Sequence, residues 1–254
     1  MKKALVIFTV IISFATRFAF GDVKIVNEVK NIINGKDQES GENISYYKAD
    51  RARMEAPGGA ISIIRLDKAV MWIINDAEKT YMEMNAEQLG ALASIMGEIK
   101  EPGVEKTGET KKIGKYNCTK IIVKMEIMGS KTETEIWGTK DIKPDPTLLK
   151  FNDKMLEIFK GNPSMESSYK MMQKVYDMEF FPVQTTTRAK IMGFSSENSS
   201  LLKEISTEKL DNSLFEIPEG YEKQEMPNMG NMSDTGTEGV IKGKSKNVIK
   251  GKTK

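Results

Sequence analysis

The chain has 254 residues, with 38 Lys and Arg against 36 Asp and Glu, a formal net charge of +2, one cysteine, no histidine and 17 methionines. Lacking histidine, it is without the commonest general base and the commonest zinc ligand, and one cysteine can form no internal disulfide. Histidine-based catalysis and a disulfide scaffold are thereby excluded, and stability must come from a hydrophobic core.

The first residues are Met1, Lys2 and Lys3, followed by an apolar run from Ala4 to Phe14 and by Ala19-Phe20-Gly21 ahead of Asp22. A short positive start, a brief apolar stretch and small residues at the last and third-last positions predict a secretory signal peptide over 1–21, with an uncleaved anchor as the alternative; Arg17 is the one interruption. The mature chain is expected to be exported, to the periplasm or the extracellular space, with no transmembrane segment. No cysteine follows the expected cut, so lipid attachment there is not expected. Removing 1–21, which carries three cations and no acid, takes the formal charge from +2 to −1. From Asn228 onward there are six lysines against Asp234 and Glu238, so the body, 22–227, is mildly acidic and the tail basic. A body of that size fits one domain, and its charge gives no reason to expect a nucleic-acid partner.

In chain order, Asp22 to Ile33 alternates as a first strand and Asn34-Gly35 signals a turn. Asn43 to Lys48 leads into a meander over Asp50 to Met84. Its strands are Arg51–Met54, Ala60–Leu66, Ala69–Ile74 and Lys79–Met84, with Pro57-Gly58-Gly59, Asp67-Lys68 and Asn75-Asp76-Ala77 as turns. Period two puts Arg51 and Arg53 on one face of the sheet and Ala52 and Met54 on the other. Asn85 with Gln88 three residues on is a capping box, and Leu89, Leu92, Ala93, Met96 and Ile99 follow at helical spacing until Pro102-Gly103. Strands are expected over Glu105–Ile113, Tyr116–Met128 and Lys131–Thr139. Two helices come next. The first is capped by Asp145 with Pro146 at its first position and presents Leu148, Leu149, Asn152, Met155, Leu156 and Phe159. The second starts at Asn162-Pro163 and carries Met165, Tyr169, Met172 and Tyr176 on one stripe. Strands over Phe180–Met192 and Leu201–Leu210 then lead to Phe215-Glu216-Ile217-Pro218-Glu219-Gly220-Tyr221. From Asn228 the composition predicts disorder, and Val240–Asn247 and Val248–Lys254 form a short polar repeat.

The order of elements and several motifs carry a resemblance: Asp50-Arg51-x-Arg53, Ile64-Arg65-x-Asp67, Trp72, Lys79-Thr80-Tyr81, Ile113-Gly114-Lys115-Tyr116-x-Cys118, Glu135-x-Trp137 and Phe215-x-Ile217-Pro218-x-Gly220-Tyr221. Over Asp22 to Lys223 the chain resembles exported half-barrel proteins related to the lipoprotein carriers LolA and LolB and to the sigma-factor regulator RseB. Within that group it looks most like an uncharacterised domain-of-unknown-function family of secreted bacterial proteins. The resemblance implies an α+β fold: a strongly curved antiparallel sheet, a half-barrel, with about three helices on or lidding its concave face. It also implies an apolar cavity for acyl chains and an arginine latch for the helical lid, at Arg51 or Arg53.

The residues themselves point to binding rather than chemistry. No nucleophile elbow, phosphate-binding glycine loop or spaced metal-ligand set is present. No cofactor and no catalytic residue is expected. Cys118 reads as a buried strand residue, and Glu133 with Glu135 as an ordinary exposed pair. Arg51, Arg53, Arg65, Asp67, Glu55 and Glu83 read as cross-strand ion pairs on the solvated face. The candidate ligand-lining set is Met54, Trp72, Leu89, Leu92, Met96, Trp137, Leu148, Met155, Phe159, Met165 and Met172, because methionine lines adaptable apolar grooves. Expected partners are lipid or lipoprotein acyl chains, with anionic headgroups or an acidic polymer as partners for the Lys-rich tail. Met226, Met229 and Met232 are the one spacing that suits a soft metal. The alternative is an envelope structural or sensor protein that works through protein contacts and holds no open cavity.

Overall fold

In the computed structural model the described residues are 21–95, 100–127, 130–160, 165–191 and 194–225. They build a large, curved, unclosed and mainly antiparallel sheet of twelve strands, in the order β12-β6-β5-β4-β3-β2-β1-β11-β10-β9-β8-β7, with three helices. The strands are β1 (Asp22–Ile33), β2 (Lys36–Lys48), β3 (Arg51–Glu55), β4 (Ala60–Arg65), β5 (Val70–Asn75), β6 (Thr80–Asn85), β7 (Lys100–Ile113), β8 (Tyr116–Ile127), β9 (Ser130–Thr139), β10 (Phe181–Ile191), β11 (Phe194–Glu208) and β12 (Glu222–Lys223). The helices are α1 (Ala86–Ile95), α2 (Pro146–Lys160) and α3 (Glu166–Tyr176). The first strand lies in mid-sheet, where β1 pairs with β2 on one side and β11 on the other. The tag β12 pairs in parallel with β6 at Glu222↔Thr80 and Lys223↔Tyr81.

Local chemistry explains most boundaries. The capping box forms as spelled: the Asn85 N–H donates to Gln88 Oε1 at 2.9 Å and the Gln88 N–H to Asn85 Oδ1 at 2.8 Å. Asp145 Oδ1 accepts the Thr147 N–H at 2.7 Å and starts α2 behind Pro146. Asn34 and Gly35 both take positive φ, 50° and 75°, at the β1–β2 bend.

Three boundaries stand apart from the sequence expectation, and the first is β2, which starts at Lys36 rather than Asn43. Pro102-Gly103, expected to end a helix, lies inside β7, where a register shift between Lys100 and Gly103 absorbs the proline that cannot donate to a ladder. Strand β11 starts at Phe194 rather than Leu201. Its Ser- and Asn-rich first half has little strand propensity of its own but is paired on both sides, with β1 and β10. The expected helix start at Asn162-Pro163, Met96 and Ile99, the leader over 1–20 and the tail from Met226 lie outside the described residues.

Two hydrophobic clusters hold the sheet. One joins Val23, Cys118, Trp137, Leu148, Phe181, Val183 and Leu202, so α2 is packed into it through Leu148. The other joins Ile63, Trp72 and Ile74 of the meander to Leu210 and Phe215 of the C-terminal segment, with Phe215 at 0% exposure.

Candidate functional site

The unbroken register from β2 to β6 sorts the meander into two faces. Arg53 faces Ile63, Ile63 faces Trp72 and Trp72 faces Glu83, so these share one side of the sheet with Arg51, Arg65 and Ile74. Ala52 faces Ile64, Ile64 faces Met71 and Met71 faces Met84, which puts them on the other side with Met54, Ile73 and Met82.

The first side is covered by the protein itself. A strap over 209–221 crosses it, with Leu210 and Phe215 buried against Trp72 and its neighbours. Cationic side chains reach out of the sheet to hold the strap's carbonyl groups. Lys48 Nζ donates to the Leu210 carbonyl at 3.0 Å, Arg53 Nη1 to the Leu214 carbonyl at 3.1 Å and Arg65 Nη1 to the Phe215 carbonyl at 3.2 Å. Arg65 also forks onto Asp67, at 2.8 Å from Nε and 2.7 Å from Nη2, and bonds Glu216. The hydrogen bond from Arg65 foremost holds the Asp67 carboxyl at about 2. Burial pushes Glu216 up, yet the hydrogen bond and charge of Arg65 outweigh it and leave the carboxyl below its usual value. Arg65 was expected among solvated cross-strand pairs; at 4% exposure it is instead a buried cation under the strap, and a buried cation must be paired.

The second side is apolar and half-buried. Met54, Ile64, Met71, Ile73 and Met82 are all half-buried, and Met84 is buried. Helix α2 adjoins this side. Helix α1 follows directly on β6, and α2 packs over β2, where the Phe151 ring meets Tyr47 edge-on with centroids 5.4 Å apart. Tyr47 lies on the Met54 side because it pairs with Ala52. Burial pushes its phenol up. Polar groups are scarce along this surface, which suits it to contact with aliphatic chains.

The candidate lining residues distribute between these places. Met54 is on the open apolar side. Trp72 is on the strap side, 5% exposed, with its indole N–H donating to Glu83 Oε2 at 2.9 Å. Trp137 and Leu148 share the first core cluster, and the Trp137 indole donates to Glu135 Oε1 at 2.6 Å. Leu89 on α1, Met155 and Phe159 on α2 and Met172 on α3 are half-buried, while Met165 ahead of α3 is buried. Leu92 falls within α1, and Met96, with the tail methionines Met226, Met229 and Met232, lies outside the described residues. Of the two latch candidates, Arg53 bonds Glu55 at 2.6 Å and the strap, whereas Arg51 bonds Asp50 at 2.8 Å. Asp50 in turn feels the charge of Lys154 on α2.

The alternation of Met71 with Ile73 and of Met82 with Met84 was in the sequence, and it was the signal for an apolar patch that the candidate set missed. Cys118 is buried at 1% exposure, and burial pushes its thiol up. Among the described residues no three His, Cys, Asp or Glu side chains converge as a metal site would need, and no helix is long and apolar enough to cross a membrane.

A family model described as a domain of unknown function, DUF4412, matches residues 32–221. No curated protein matches the chain. Similar solved structures include PNGF-II in two crystal forms, at 16% and 18% identity over 83% and 81% of this chain, each with a TM-score of 0.37. The chain spans 32% of the length of PNGF-II. A LolA superfamily protein from Nitrosomonas europaea is 6% identical over 79% of this chain and 92% of its own, with a TM-score of 0.31. A DUF1329 family protein from Desulfovibrio piger is 11% identical over 77% of this chain and 90% of its own, with a TM-score of 0.32.

Proposed function

We propose, for a chain that belongs to the DUF4412 family of domains of unknown function, a non-enzymatic binding role: it is exported by its leader and holds an acyl chain or other apolar ligand between the sheet and its helices. The observation that supports this is the patch of Met54, Ile64, Met71, Ile73 and Met82, half-buried on one side of four neighbouring strands in two adjacent rows, with Ser62 between Met54 and Ile73. A monomer that leaves five aliphatic and thioether side chains partly wet on one face gains free energy when an apolar ligand covers them, at about 25 cal/mol per Å². Thioethers adapt their shape to irregular chains, which favours a class of ligands over one compound. Asp50, which holds Arg51 and feels the Lys154 charge, is the group that would tether α2 over the ligand.

The test is saturable uptake of a fluorescent fatty acid by the mature chain, repeated with Met71→Arg and Met82→Arg. Uptake that both variants abolish while their melting temperatures stay near wild type is the expected result. A wild-type protein that takes up no probe and shows no bound lipid in native mass spectrometry sinks the proposal.

A second reading, an envelope structural or sensor protein acting through protein contacts, draws on a different observation: the Trp72 side is already filled by the strap, with Phe215 fully buried. Pull-downs with and without residues 228–254 separate the two. Under the carrier reading, deleting the tail leaves acyl-chain uptake intact.

A further inference from the structure

The strap that covers the Trp72 side delivers the rest of the chain to the other side. Beyond Tyr221 it joins the edge of the sheet as β12, with Glu222 beside Thr80 and Lys223 beside Tyr81. Tyr81 pairs with Ile74 and so points to the strap side, where Lys223 Nζ meets Glu83 Oε1 at 2.7 Å. Paired neighbours keep the same side, so Glu222 and Gln224 lie with Thr80 and Met82 on the methionine side. The Glu222 N–H donates to the Lys79 carbonyl at 3.0 Å and the Gln224 N–H to the Tyr81 carbonyl at 2.8 Å. One further step of this ladder brings position 226 alongside Met84, just before β6 ends at Asn85.

What the sequence carries from that point differs from the lysine-rich end that follows. Met226-Pro227-Asn228-Met229-Gly230-Asn231-Met232-Ser233 has no charge and a methionine at every third position. In a polyproline-type helix, with three residues per turn, such a spacing sets the three methionines on one edge. At a rise of about 3.1 Å per residue the first is about 19 Å from the last. Strands lie about 4.8 Å apart, so crossing the face from Met82 on β6 past Ile73 and Ser62 to Met54 on β3 takes about 14 Å. The segment is therefore long enough, uncharged and chemically matched to a face of half-buried thioether and aliphatic groups.

We propose that the segment 226–233 is the methionine face's own occupant: in the ligand-free chain it lies across Met82, Met71 and Met54, and an apolar ligand enters by displacing it. The proposal rests on the binding reading of this face and adds its regulation. Attachment through β12 makes the contact intramolecular, at an effective concentration of about a millimolar, so weak apolar contacts suffice to hold it and a ligand of higher affinity can replace it.

Dilute hydrogen peroxide tests this without any ligand, because thioethers oxidise according to their exposure. Initial rates at Met54, Met71 and Met82 are read by peptide mass spectrometry in the mature full chain and in the same chain carrying Met226→Ser, Met229→Ser and Met232→Ser. The variant is expected to oxidise at the three face positions about threefold faster or more, the change when a face covered about two-thirds of the time is laid open. Met172, half-buried on α3 against β7, should keep its rate. Equal rates in the two chains overturn the proposal, as does a rise that Met172 shares. Protection that fades on dilution overturns it too, since a second copy would then be the cover. Uptake of a fluorescent fatty acid separates this proposal from the reading it rests on. Protection without uptake keeps the segment on the face and ends the acyl-chain reading, and uptake without protection does the reverse. Where both hold, the variant should take up the probe about threefold more tightly.

Discussion

Replacing Arg65 with alanine should unpin the strap. The guanidinium is 4% exposed and serves Asp67 twice, Glu216 once and the Phe215 carbonyl at 3.2 Å. Breaking a buried pair by removing one partner costs about 3–5 kcal/mol when the other charge stays dry. Here the Asp67 and Glu216 side chains retain 29% and 45% exposure, so water recovers part of the loss and the ion pairs account for about 2 kcal/mol. The Phe215 carbonyl, left without its donor against a buried ring, adds about 1 kcal/mol. The expected loss is about 3 kcal/mol, which for a domain of this size lowers the melting temperature by about 6–12 °C.

Urea unfolding followed by tryptophan emission measures it, and Trp72 under the strap makes the signal local. The pH dependence supplies a second check with a definite sign. Arg65 holds Asp67 at about 2 in the folded chain against an ordinary 3.8, so as acid is added the unfolded state takes its proton first. The stabilisation is complete above pH 3.8 and is lost as pH falls through about 2. In Arg65→Ala that part of the acid loss should shrink, because the folded and unfolded values of Asp67 converge. A variant that loses less than about 1 kcal/mol, the value of a surface pair, refutes the strap-lock argument. An acid profile like that of wild type over this window refutes the assignment to Asp67.

Three further outcomes follow from the same packing. Phe215→Ala removes a ring with 0% exposure and should cost about 3–5 kcal/mol in urea unfolding; a loss below about 1 kcal/mol would mean the strap can collapse into the space. The Cys118 thiol, at 1% exposure and pushed up by burial, should react with a disulfide reagent at pH 8 only after denaturant is added, and rapid labelling of the native protein would contradict its placement. Asp145→Ala deletes the cap whose carboxylate accepts the Thr147 N–H at 2.7 Å and should cost about 1 kcal/mol in thermal unfolding, with rescue by Asp145→Ser.

What the amino-acid order determined by itself is local. Period-two alternation marked the meander to within a residue or two of β3, β4, β5 and β6, and the Asn85–Gln88 and Asp145–Pro146 pairs marked where α1 and α2 begin, because those signals act within a few residues of the backbone they organise. The division of the meander into an arginine face and a methionine face was legible for the same reason. Tertiary structure alone decided what covers each face. Arg65 reads as a solvated charge until residues about 150 positions later return to lie on it. The first half of β11 reads as a polar loop until β1 and β10 supply ladders on both sides. Trp72 and Met54 entered one list of candidate lining residues, and the sheet places them on opposite sides, one under the strap and one on the apolar patch. Side-chain pattern fixes the two faces of a strand, but long-range chain return decides which of them keeps meeting water, and that is a property of the whole fold.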